Sequence, residues 1–281
     1  MATISPTTAH LIETAEISFI NAQIHAAQQL FPSQNFIAEP IGGGVAAVTK
    51  QSFGRKLNHV AGFGMNGPVS EKDLEAIERL YREIGASPEI NLCPFAHQSV
   101  REALDKMGWT ICAEMNVHVL SLRGYKKTES EFQTADEIHI TPVSTEEYPI
   151  FIETATTGFG YNSTSDQLDL FHALASVATR RPDTRLYFAR INGQIAGAAG
   201  LALITTPLGR VAELYIDSTT PEFRGKGVQT ALLRARLEEA KKEGIEVATV
   251  TTWPTGTSAR NVERVGFVLG YRKDVFTTST T

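Results

Sequence analysis

The chain has 281 residues, 42% hydrophobic and 20% charged, with a net charge of −5, the make-up of a globular protein with one large domain or two of ordinary size. It has no basic run, so nucleic acid and anionic membranes are excluded as partners, and no apolar stretch reaches the ~18 residues of a membrane span. No secretory leader is read at the N-terminus, no Cys/His cluster has metal-ligand spacing, and Cys93 and Cys112 are expected as reduced, buried thiols of a cytoplasmic protein.

In chain order, apolar residues from His10 to Leu30 predict one or two helices. Asn35 to Lys50 reads as two strands turning at Gly42-Gly43-Gly44, and Asn58 to Gly64 as another. Ser70 to Asp73 resembles a capping box, and Leu74, Ile77, Leu80 and Tyr81 recur at helical spacing until Gly85. A short strand (Glu89 to Leu92), a helix (Ser99 to Met107) closing in Gly108-Trp109, and a long strand (Ile111 to Leu122) follow.

Residues 125–137 are polar and read as a linker. Beyond it come a strand (Ile138 to Pro142), a helix (Thr145 to Thr157), a loop over Gly158-Phe159-Gly160-Tyr161-Asn162, and a helix from Ser165 to Thr179. Leu186 to Ile191 and Gln194 to Ile204 form a hairpin about Asn192-Gly193. Val211 to Asp217 is a strand. Pro221-Glu222-Phe223-Arg224-Gly225-Lys226-Gly227-Val228-Gln229-Thr230 is then a tight basic turn running into a helix.

That strand, turn and helix make an anion site. The first N–H groups of a helix lack intrahelical partners, and its dipole favours negative charge there. Glycines at 225 and 227 clear Cβ atoms from the approach, and Arg224 and Lys226 add positive charge. A diphosphate would fit. The spacing matches neither G-x-x-x-x-G-K-[ST] nor G-x-G-x-x-G.

The run Arg224-x-x-Gly227-x-Gln229 resembles the pyrophosphate loop of the GNAT superfamily, the GCN5-related N-acetyltransferases, whose pattern is Gln/Arg-x-x-Gly-x-Gly/Ala; Gln229 departs from it. A second stretch carries the resemblance further. Ser258-Ala259-Arg260-Asn261-Val262-Glu263-Arg264-Val265-Gly266-Phe267 is similar to the family's later helix ending in Gly-Phe, before its last strands. The first half echoes the second, with Lys106-Met107-Gly108-Trp109 standing where Arg264-Val265-Gly266-Phe267 stands later.

The resemblance therefore implies an α/β fold of two tandem GNAT-like domains, each a twisted, mostly antiparallel sheet flanked by helices. The domains would be residues 1–124, a degenerate copy with Asn66-Gly67-Pro68 in the phosphate slot, and 138–281, which would bind acetyl-CoA. The activity implied is acetyl transfer from acetyl-CoA to a small-molecule amine in the cytoplasm, without a metal, with a monomer favoured over a homodimer. The alternatives are a non-catalytic acyl-CoA-binding or regulatory module and a protein lysine or N-terminal acetyltransferase.

By position in the family pattern, Asp217, Ser218 and Thr219 would pair with pantetheine. Gly225 to Thr230, beside Arg224 and with Lys226, Gly227, Val228 and Gln229 among them, would hold the diphosphate. Glu213 falls where lysine-directed members carry their glutamate and is the expected base, the alternative being a solvated strand glutamate or one that binds the acceptor's ammonium. Strand alternation places Glu213, Tyr215 and Asp217 on one face. Val262 replaces the usual acid tyrosine, which leaves Asn261, Ser258, Tyr271 or water near the sulfur. Ser258 and Asn261 are also candidate pantetheine ligands, with helix capping the alternative. Phe159 and Tyr161 are candidate acceptor contacts with Glu213 and Tyr215; for Phe171 the alternative is core packing.

Overall fold

A computed structural model describes residues 4–126, 138–160 and 163–278. Helices begin where side chains satisfy their first N–H groups. Ser5 accepts from Thr8 N–H at 3.1 Å and Pro6 opens α1 (Pro6–Leu30). Ser70 and Asp73 close a capping box on α3 (Glu71–Glu83).

The first half continues as β1 (Ile37–Ile41), β2 (Gly44–Val48), α2 (Gly54–Leu57), β3 (His59–Ala61), then α3, β4 (Glu89–Leu92), α4 (Ser99–Lys106) and β5 (Thr110–Ser121). The second half is β6 (Ile138–Pro142), α5 (Tyr148–Gly160), α6 (Ser165–Ala178), β7 (Thr184–Ile191), β8 (Gln194–Thr206), β9 (Gly209–Thr219), α7 (Val228–Lys242), β10 (Val247–Thr252), α8 (Thr257–Arg264) and β11 (Val268–Thr277). No helix among the described residues is long and apolar enough to cross a membrane.

The expected loop at 158–162 is corrected in part: α5 runs on to Gly160, and residues 161 and 162 lie outside the described residues. Gly158 is a glycine for packing, not for turning. A Cβ there would stand 1.9 Å from Ser218 Oγ on β9. Most of the expected linker, residues 127–137, also lies outside the described residues. Both cysteines are free thiols; Cys93 is buried, whereas Cys112, expected buried, is exposed near the start of β5.

Among the described residues the strands form one sheet, in the order β1-β2-β3-β4-β11-β5-β10-β9-β8-β7-β6. The two halves interleave at its centre. β11, the last strand of the chain, lies antiparallel between β4 and β5 of the first half. β5 in turn lies between β11 and β10. Among the described residues one strand follows Gly266-Phe267, where the resemblance implies more than one, and β5 stands between it and β10.

The ends of α4 and α8 share a pair of hydrogen bonds that also closes α3 and α7. Gly108 N–H donates to Asp105 O and Trp109 N–H to Leu104 O at the end of α4. Gly266 N–H donates to Glu263 O and Phe267 N–H to Val262 O at the end of α8. β3 and β4 are parallel, as are β9 and β10. We propose that residues 1–124 and 138–281 are the tandem halves, sharing one sheet. Residues 1–126 expressed alone would leave β5 without either neighbour, its backbone groups unpaired. That fragment is expected to show no cooperative thermal transition by circular dichroism.

On one face, α7 and α8 cover β9 and β10 through Leu232, Leu233, Val262 and Phe267, while α3 and α4 cover the first-half strands. On the other face α5 and α6 pack on β7 and β8. α1 lies between the halves there: Ala15 meets Ala202, Ile204 and Val211, and Ile20 and Ile24 meet Val45, Ala47 and Leu170. Buried Glu13 on α1 pairs with Lys273 of β11 at 2.7 Å and accepts from the Tyr271 hydroxyl. This polar clamp fixes the first helix to the last strand.

Candidate functional site

The basic turn folds as its residues require. Gly225 (φ +78°) and Gly227 (φ +83°) take the left-handed conformation that L side chains avoid. A Cβ on Gly225 would meet nothing within 4 Å, so the backbone faces open space. Ala231 N–H bonds Gly227 O, which leaves the N–H groups of Val228, Gln229 and Thr230 ahead of the intrahelical ladder of α7. Gln229, the departure from the family pattern, bridges two helices. Its Oε1 accepts from Asn261 Nδ2 at 2.8 Å and its Nε2 donates to Ser258 Oγ at 3.2 Å. The matching slot in the first half is occupied otherwise: α3 opens with Glu71 and Asp73, and the Asp73 carboxylate accepts from Ser70 N–H. A carboxylate there repels an anion.

β9 and β10 pair in parallel only from Val211–Val247 to Glu213–Thr249. Beyond Glu213 they part, which frees backbone groups of both strands at the mouth of a cavity of about 2470 Å³. A bulge opposite β8 follows, between Ala198 and Gly200, where Ile216 has φ +51°. A left-handed β-branched residue is strained. The bulge reverses the alternation and overturns the expectation that Asp217 shares a face with Glu213 and Tyr215. Tyr215 meets Phe19 of α1 at 5.0 Å between ring centroids, whereas Asp217 pairs with buried Arg236 of α7.

Glu213 is half-buried in the cavity wall, its carboxylate accepting from the Thr249 hydroxyl. Burial pushes its pKa up to about 7, against the pull of the Thr249 hydrogen bond, while the nearby Glu16 carboxylate adds to the rise. A carboxyl in this range exchanges protons near neutral pH.

Of the other expected site residues, Asp217, Thr219, Arg224, Gly225, Gly227, Val228, Gln229, Thr230, Ser258 and Asn261 line the cavity with Glu213. Arg224 donates to Gly158 O at 2.9 Å. Three side chains do not reach it. Ser218 is buried, its hydroxyl donating to Thr154 and Ala155 carbonyls of α5. Lys226 lies over the Phe223 ring, 5.0 Å from its centroid, and is not part of the lining. Tyr271 is 1% exposed beneath α1, its hydroxyl held by Glu13, so it is not placed to protonate a leaving group. Val262 is fully buried in the core of the second half. Phe159 stacks on Phe171 at 5.4 Å, and both line the cavity; Phe171 also packs against the first-half core. Tyr161 lies outside the described residues.

Sequence reasoning missed the opposite wall, which the first half supplies. Glu16 and Phe19 come from α1, and Arg55, Lys56 and His59 from α2 and its junction with β3. One signal was available: Glu13 and Glu16 interrupt the apolar run of α1. Lys273 holds both carboxylates. His59 Nδ1 lies 2.9 Å from Arg55 O; a carbonyl only accepts, so Nδ1 carries the proton and Nε2 the lone pair. Burial is the largest influence on His59 and lowers its pKa, against the pull of Glu16.

Residues 147–267 match the model of the acetyltransferase (GNAT) family. None of the curated proteins matches the sequence. Among solved structures, the chain is similar to a GCN5-related N-acetyltransferase from Kribbella flavida (TM-score 0.62, 17% identity, covering 93% of this chain and 96% of that one). It is also similar to one from Sphaerobacter thermophilus (TM-score 0.56, 12% identity, 99% and 94%). A third similar structure is a tandem GNAT protein from the clavulanic acid biosynthesis pathway (TM-score 0.53, 14% identity, 74% and 69%). At these identities the likeness is one of fold. Residues 147–267 of the chain are therefore an acetyltransferase domain of the GNAT family.

Proposed function

We propose that the protein is an acetyl-CoA-dependent N-acetyltransferase acting on a small-molecule amine. The observation that carries this reading is the position of Glu213: a carboxylate with pKa about 7, at the point where β9 leaves β10, in one cavity with the open N-terminus of α7. The loop from Gly225 to Thr230 would hold the diphosphate through backbone N–H groups, beside the cations Arg224, Arg234 and Arg264 of the cavity lining. The freed backbone of β9 beyond Glu213 would receive pantetheine. Bound there, acetyl-CoA supplies an activated acyl group as a thioester.

The chain's own residues then do two things. Glu213, ionised, accepts the proton that the amine nitrogen gives up as its lone pair forms the new C–N bond, directly or through one water. Backbone N–H groups at the splay stabilise the carbonyl oxygen as it gains charge. The sulfur departs with the electron pair of the C–S bond, and a thiolate leaving group does not need a strong acid. That accords with the burial of both Val262 and Tyr271.

Two features favour a small acceptor over a protein. α1 and α2 wall the cavity opposite Glu213, which narrows the approach that a polypeptide would need. The volume left, about 2470 Å³, is not plugged by the first half, which favours turnover over a binding module. The interleaved strands supply within one chain a contact that a dimer would otherwise make, and we place the working form as a cytoplasmic monomer.

The loop is tested by Gly227→Val. A β-branched residue at φ +83° moves the first N–H groups of α7 and sets two methyl groups at the approach. The dissociation constant for acetyl-CoA, measured by calorimetry, is expected to rise at least about tenfold. An unchanged constant would place the diphosphate elsewhere.

A further inference from the structure

The cavity is lined by groups of both signs. Glu213 of β9 stands on one wall and Glu16 of α1, held by Lys273, on the wall across from it. On the first-half wall, Arg55 and Lys56 are adjacent on α2. Arg55 donates to Glu89 at 2.9 Å and lies over the Trp253 ring, 5.3 Å from its centroid. Lys56 has no ion pair with a carboxylate among the described residues. Lys56 is exposed along the cavity wall, where partial burial and then the Arg55 charge hold its pKa down.

Two adjacent cations on the wall of a cavity, one of them with no carboxylate partner among the described residues, make a site that an anion fits. The acetyl donor does not account for it, because the diphosphate end of the cavity has Arg224, Arg234 and Arg264 on the second half. Resting on the acetyltransferase reading, we propose that the acceptor bears, apart from its amine, an anionic group, a carboxylate or a phosphate, which Lys56 and Arg55 bind while the amine faces Glu16 and Glu213. The cationic wall sets specificity and takes no part in the proton transfer.

The test uses the full chain with matched acceptors that differ only in the anionic group. One arm compares amino acids with their amides, and the other compares phosphoethanolamine with ethanolamine. The charged member of one arm is expected to have a kcat/KM higher by about tenfold or more. Lys56→Met is expected to reduce that preference to near unity, with the KM for acetyl-CoA unchanged and Lys56→Arg restoring part of it. The arm that responds identifies carboxylate or phosphate. The same preference in Lys56→Met, no preference in the wild type, or an effect confined to the KM for acetyl-CoA would overturn the proposal. If no amine is turned over, calorimetry of the same probes on the CoA-loaded protein decides. Charge-selective binding lost in Lys56→Met sustains the anion site without the enzyme reading, and binding indifferent to Lys56 removes it.

Discussion

Replacing Glu213 with Gln is expected to lower kcat by about 10²- to 10⁴-fold, the usual worth of a positioned general base, while the KM for acetyl-CoA changes by less than about twofold. Gln retains an oxygen to accept from the Thr249 hydroxyl, so the local hydrogen bond survives. The pH dependence gives the sign. The base works ionised and its pKa is about 7, so wild-type kcat/KM falls as pH drops through about 7. The variant lacks that limb.

Stability runs the other way. A carboxyl whose folded pKa lies above its unfolded value binds more protons in the native state, so its contribution is present at low pH and is lost as pH rises through about 7. Above that pH the Gln variant is expected to be at least as stable as the wild type in thermal unfolding. Activity lost without stability identifies the base; both lost together would make Glu213 a structural residue.

The second large effect is expected at Lys273. The side chain is 1% exposed and Glu13 is 0% exposed. Burial alone would strip the proton from Lys273, but Glu13 and Glu16 hold it charged. Lys273→Met leaves a buried carboxylate without its cation, a change worth about 3–5 kcal/mol in a protein whose total stability is of order 5–15 kcal/mol. The loss falls on the contact between α1 and β11, which joins the halves. It is expected to diminish at acid pH, because the Glu13 carboxyl, already raised by burial, then takes up a proton. Adding Glu13→Gln to Lys273→Met is expected to recover part of the stability in urea unfolding, since the amide oxygen still accepts from Tyr271 and no buried charge remains. A double variant as unstable as the single one would show that the methionine fails by packing and not by charge.

What could be read from the sequence was local. The loop from Arg224 to Thr230 was legible because its glycines and basic residues act within one turn, and the ends of α4 and α8 because Gly-Trp and Gly-Phe close them with the same two hydrogen bonds. The exchange of β5 and β11 was not legible. Both read as plain strands, and which neighbours a strand takes depends on pairings far apart in the chain. The face of Asp217 was misread because the bulge rests on Ile216, and nothing in a β-branched residue announces a left-handed φ. The expectation for Tyr271 rests on its place after Gly-Phe, whereas its hydroxyl is held by Glu13 of α1, far away in the chain. The opposite wall was invisible for the same reason: Arg55 and Lys56 sit on a one-turn helix far from Glu213 in the chain, and only the fold brings them to one cavity.

The most direct test of the central claim is release of the CoA thiol from acetyl-CoA, followed against a panel of amines, amino acids, aminoglycosides and peptides between about pH 6 and 9, with N-acetylated product identified by mass spectrometry. Turnover of one class of small amine, with rate rising through about pH 7 and collapsing in Glu213→Gln, is the result the structure leads us to expect. Tight binding of acetyl-CoA with no acetylated product from any acceptor across that range would contradict it, and would leave the chain an acyl-CoA-binding module.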